Sequence, residues 1–71
     1  MLPKGLSSGD VIRAFVRAGG IVREGKGSHV NIKMPNGQLV TIPNHASVKK
    51  GLLQSAIKKA GLTVDKFIAF L

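Results

Sequence analysis

Apolar and polar residues alternate along this chain with two different periods, and the places where the period changes divide it into elements. Val11, Ile12, Phe15 and Val16 recur at helical spacing behind a Ser-x-x-Asp capping box formed by Ser7 and Asp10, so a first helix is predicted from about Ser8 to Ala18. Gly19-Gly20 ends it. Ile21-Val22-Arg23-Glu24 is short and rich in β-branched residues, as a strand is, and Gly25-Lys26-Gly27 is a turn. From Val30 to Met34 the period is two: Val30, Ile32 and Met34 point one way, while His29, Asn31 and Lys33 form a polar stripe on the other. Pro35-Asn36-Gly37 is a hairpin signal leading to Gln38–Ile42, and Pro43 closes that third strand.

The helical period then returns. Leu52, Leu53, Ala56, Ile57 and Ala60 define a second helix, with Ser47 or a near neighbour as the expected cap and Gly61 as its stop. Thr63 can cap a last short helix in which Val64, Phe67, Ile68 and Leu71 follow the i, i+3, i+4, i+7 pattern. That stripe is read as core, with a partner-docking face as the alternative. The expected fold is α+β: an α-β-β-β-α order, a three-stranded antiparallel sheet with the helices on one face, and a short C-terminal helix. Residues 1–6 lack periodicity and are expected to form a flexible arm, leaving residues 7–71 as a single domain.

Length changes this picture little. At 71 residues the chain is near the size below which a hydrophobic core struggles to outweigh chain entropy, so function must sit on the surface of one domain. Without cysteine there is no disulfide framework or thiolate site, and two histidines with three acidic residues make a poor metal set, so no metal is expected. No apolar run reaches membrane-spanning length and the start lacks a signal-peptide core, so the expectation is a cytoplasmic protein.

Charge changes it more. Eleven Lys and Arg against three Asp and Glu give a formal net charge of +8, and such a chain seeks polyanions. A membrane-surface role would call for one helix with a basic face opposite large aromatics. Here the cations are scattered over every element and Trp and Tyr are absent, which favours nucleic acid. The same shortage of aromatics argues against base stacking and for backbone and shape contacts. Arg13 and Arg17, four apart on the first helix, are explained by a solvated face, with a nucleic-acid or partner contact as the alternative.

Candidate chemistry gathers at Gly27-Ser28-His29, where the basic turn runs into the polar stripe. Glycine allows a phosphate to approach the backbone, Ser28 supplies a hydroxyl, and His29 carries the side chain suited to proton transfer near neutral pH. A lone histidine at a strand edge is also an ordinary solvated residue. Lys26 between glycines and Lys33 on the stripe suit phosphate contact. Lys49 and Lys50 fall at the start of the second helix, where the dipole disfavours cations by about 0.3–1 kcal/mol each, so with Gly51 they form a candidate anion site. Lys58 and Lys59, in the last turn of that helix, are explained by the same dipole. His45 suits an acid role or a loop hydrogen bond equally.

Taken together, the α-β-β-β-α order, Gly27-Ser28-His29, the Pro43-x-His45 step, and Lys50-Gly51-x-Leu53 through Ile57, Lys59, Ala60 and Gly61 resemble the HicA toxin family over nearly the whole chain, from about Ser7 to Leu71. The resemblance implies a double-stranded-RNA-binding-like fold and the toxin of a type II toxin–antitoxin system. It further implies a small ribonuclease acting on mRNA, and a HicB-like antitoxin that holds it inactive in a hetero-oligomer. The family's catalytic histidine falls in its Gly-Ser-His step, which matches His29. Two positions depart from the pattern: Val30 stands where many members carry a second histidine or an aromatic, and Leu53 replaces a lysine of the double-stranded-RNA-binding helix.

Metal-independent RNA cleavage needs a base for the 2′-hydroxyl, donors for the phosphorane's charge and an acid for the leaving 5′-oxygen. His29 is the candidate base and His45 a possible acid. Lys26, Lys33, Lys49 and Lys50, with backbone N–H groups at Gly27 or Gly51, are candidates for charge stabilisation. The alternatives are a non-catalytic RNA-binding module and a copy that acts only as a protein-interaction subunit.

Overall fold

The computed structural model describes residues 2–3, 5–23, 27–44 and 48–71. Its elements follow in the order α1 (Ser8–Arg17), β1 (Ile21–Arg23), β2 (His29–Lys33), β3 (Leu39–Pro43), α2 (Lys50–Lys59) and α3 (Val64–Ala69). The strands form an antiparallel meander in the order β1-β2-β3. Val11, Ala14, Phe15, Leu53, Ala56, Ile57 and Phe67 from the helices join Ile32, Val40 and Ile42 from the sheet in one core, so the helices lie on one sheet face. Phe15 and Phe67 meet at its centre, ring centroids 5.1 Å apart and tilted by 54°.

Local chemistry explains the boundaries. Ser7 caps α1 through the expected capping box: its Oγ accepts from the Asp10 N–H at 3.1 Å, while its own N–H donates to Asp10 Oδ2 at 3.4 Å. Both long helices end in Schellman geometry, with Gly20 N–H donating to Phe15 O after α1 and Leu62 N–H to Ile57 O after α2. The positive φ of these ends falls on Gly19 and Gly61, and Gly20 is glycine for a different reason. A Cβ there would lie 2.6 Å from Ile32 Cγ2 and 2.8 Å from Phe15 O, so the close approach of the α1 exit to β2 excludes any side chain. The β2–β3 hairpin turns at Met34–Gly37, with Gly37 N–H donating to Met34 O and Met34 N–H to Gln38 O, as a three-residue loop with its positive-φ glycine requires. Thr63 caps α3 by accepting from the Lys66 N–H.

Three sequence expectations are modified. Ser47 lies outside the described residues, and α2 starts from Lys49, whose side chain makes no capping bond. Val48 is buried and its N–H donates to Leu6 O, which holds the chain extended until Lys49. Leu71 falls past the end of α3 and is exposed, while half-buried Phe70 packs against the core instead. In the stretch expected as a loose arm, Leu2 is 5 % exposed among the core residues: an apolar side chain can join a core without any helical or strand period around it.

Candidate nucleic-acid interface

Pairing register fixes the open face of the sheet. Residues directly opposite each other in antiparallel strands share a face, so the register gives three rows: Ile21–Lys33–Leu39, Arg23–Asn31–Thr41 and His29–Pro43. This is the face away from the helices. Of the intervening β2 and β3 positions, Ile32, Val40 and Ile42 are sealed in the core at 0–1 % exposure and Val30 is half-buried against it. The period of two read from β2 therefore puts its polar stripe where expected, with His29 and Lys33 exposed and Asn31 half-buried.

His29 opens β2 directly after the Gly27-Ser28 turn, in which Gly27 adopts φ +60°. The Ser28 carbonyl accepts from the Asn44 N–H, so the turn is tied to the chain leaving β3. No hydrogen bond or ion pair to another described residue engages the imidazole. In the next row Thr41 Oγ1 donates to Asn31 Oδ1 at 2.7 Å, which fixes the amide beside His29. Lys33 and Arg23 are likewise without an ion pair to any described residue. The described carboxylates lie elsewhere, Asp10 within the α1 cap and 3.6 Å from Arg13, Asp65 in the first turn of α3. Among the described residues, then, the open face carries cations without a paired carboxylate beside an accessible imidazole.

Lys49, Lys50 and Gly51 are exposed at the N-terminus of α2, with no acidic residue in that first turn. They lie in the helix layer, on the other side of the sheet from the His29 stripe. The two groups nevertheless share an end of the molecule. Asn36 Nδ2, in the β2–β3 hairpin, donates to Lys59 O at the far end of α2, so the helix runs back along β3 toward the end where His29 faces Pro43. Lys26 and His45, the remaining candidates, lie outside the described residues. Among the described residues no group of three or more His, Asp or Glu side chains converges as a metal site would require.

The structure adds Arg23 and Thr41 to the face. The sequence leaves the side of Arg23 open because the length of the turn before His29 permits more than one register, and a one-residue slip reverses every side chain; Thr41 takes its side from the β2–β3 hairpin, which pairs it with Asn31. It also accounts for the two α1 arginines: Arg13 pairs with Asp10, and Arg17 Nη1 donates to Phe70 O at 3.0 Å. The first pair lies within α1, and the second ties α1 to the end of α3. No helix among the described residues is long and apolar enough to cross a membrane.

No curated protein matches the chain. The family described as the HicA toxin of bacterial toxin–antitoxin systems matches residues 8–62, from the first residue of α1 to just past α2, and so takes in the sheet, the Gly27-Ser28-His29 step and the Lys49-Lys50 helix start. With most of its length matched and with the expected element order in place, the chain belongs to the HicA toxin family.

Proposed function

We propose that this protein is the ribonuclease toxin of a type II toxin–antitoxin pair, cleaving mRNA without a metal ion and restrained by a HicB-like antitoxin. The observation that carries the reading is His29: an accessible imidazole, flanked by a glycine turn and set on a cationic sheet face, in a member of the HicA toxin family. In this reading RNA lies along the open face with its phosphates toward Lys33 and Arg23. His29 takes the proton of a 2′-hydroxyl as that oxygen attacks the adjacent phosphorus. Lys33 and the backbone N–H groups of the Gly27-Ser28 turn hold the charge that develops on the phosphorane. The bond to the 5′-oxygen breaks as that oxygen takes up a proton, for which His45 is the candidate donor, leaving a 2′,3′-cyclic phosphate. Lys49 and Lys50 grip a phosphate farther along the strand, at the uncompensated start of α2.

The antitoxin in this reading meets the same cations with carboxylates and covers His29, so that RNA and antitoxin compete for one surface. The test is incubation of the purified chain with RNA in excess chelator, with the new ends analysed. Cleavage leaving cyclic phosphates, suppressed by an equimolar antitoxin, supports the proposal. Tight binding without cleavage would favour a non-catalytic RNA-binding module.

A further inference from the structure

A second surface lies at the outer edge of the sheet, and the RNA reading leaves it unused. Among the described residues β3 pairs with β2 on one side only. Asn44 N–H donates to Ser28 O and Met34 N–H to Gln38 O, which fixes the phase of the ladder. Positions 38, 40, 42 and 44 turn their backbone groups toward β2, whereas Leu39 and Thr41 turn both N–H and C=O outward. Pro43 offers only its carbonyl. Alongside this edge runs a groove of about 200 Å³ lined by Val40, Thr41, Leu52, Ser55, Ala56 and Lys59. The α2 members are spaced i, i+3, i+4, i+7, so one helical stripe forms the wall. Small residues, Ser55 and Ala56, stand at its middle, with Leu52 at one end and Lys59 at the other. The Asn36 bond to Lys59 O clamps α2 to the hairpin, so the groove is held open before anything enters it.

We propose that this groove receives an extended, acidic-ended segment of a partner protein, which adds to β3 as a fourth, antiparallel strand. The unpaired Leu39 and Thr41 groups offer a main-chain ladder in the two-residue repeat of a strand. Alternate small apolar side chains of the segment fill the space over Ser55 and Ala56 and contact Leu52, which is 41 % exposed. An antiparallel segment ends beside Leu39, the end at which the hairpin is bound to Lys59. A carboxylate there meets the Lys59 ammonium in a chain carrying +8. RNA is the weaker fit: the groove is small, walled by Val40, Leu52 and Ala56, and holds one cation. The inference is independent of cleavage at His29, which lies on the open face.

Selection of a random-peptide display library on the intact chain tests this, with the selected synthetic peptides mapped by NMR on isotope-labelled protein. The expected peptides alternate small apolar with polar residues and carry Asp or Glu near the C-terminal end. They should shift the Leu39 and Thr41 amides and slow their hydrogen exchange. Ser55→Trp, which fills the groove from an exposed helix position, and Lys59→Glu should each weaken binding by about tenfold or more while thermal unfolding stays cooperative. Three results overturn the proposal. One is a selection whose peptides leave those amides unmoved or ignore Ser55→Trp. Another is protection of the same amides in a peptide-free dimer, which assigns the edge to a second copy. The last is a short RNA that shifts them and loses affinity in Ser55→Trp, which assigns the groove to nucleic acid.

Discussion

On one side of the sheet Ile32, Val40 and Ile42 are sealed from water. On the other, one residue along in each strand, His29, Lys33, Leu39 and Thr41 are exposed. The same backbone serves both sides, yet its two sets of side chains answer to different demands. Burial of the inner set supplies the hydrophobic stabilisation that a chain this short needs. The outer set contributes little to that, because an exposed lysine or imidazole has few packing contacts to lose. In the proposed function their arrangement answers to the RNA and antitoxin they meet from outside. The lesson is that a period of two separates residues that hold the fold from residues free to carry chemistry, and that substitutions should sort the same way.

The strongest test of this division is on the inner face. Ile42→Ala should cost about 2–5 kcal/mol in denaturant unfolding, enough to threaten folding altogether, while Ile42→Val should cost about 0.5–1.5 kcal/mol. An Ile42→Ala protein of unchanged stability would break the comparison on its inner side. Lys33→Ala, on the outer face, should leave stability within about 0.5 kcal/mol and weaken RNA binding. Titrations over a range of salt should show the slope of log K against log salt fall in magnitude by about 0.7, the share of one phosphate contact on single-stranded nucleic acid. An unaltered slope would remove Lys33 from the RNA path. The smallest effect sharpens the comparison at α2. Lys50→Glu should raise stability by about 0.3–1 kcal/mol, because an anion suits the helix start better than a cation, and should lower RNA affinity. Loss of stability would show that Lys50 serves the fold.

Much of the fold is legible in the sequence because its signals are local. Ser7 and Asp10 lie three residues apart, the hairpin is written in Pro35-Asn36-Gly37, and the stripe behind Phe15 repeats within one helix. What depends on pairing between distant segments is not. The side taken by Ile21 and Arg23 follows from their register with Lys33 and Asn31, which their own residues do not specify. The start of α2 follows from burial of Val48 and its bond to Leu6 O, a contact 42 positions back along the chain, after which Lys49, a near neighbour of Ser47, takes the cap position without a side-chain bond. Leu2 joins the core by the same kind of long-range contact. In the candidate site, His29 and Lys33 were legible because they belong to one strand with one period. Their separation from Lys49 and Lys50 by the thickness of the sheet was not.

If His29 serves chemistry and neither folding nor grip, a paired measurement on His29→Ala separates the three. Single-turnover RNA cleavage, at saturating protein and in the presence of chelator, is compared with RNA affinity and thermal unfolding of the same preparation. The rate should fall by ~10² to 10⁴, the usual cost of removing a general base, with affinity and unfolding close to those of the unaltered protein. Cleavage that persists at the original rate would contradict the role in chemistry.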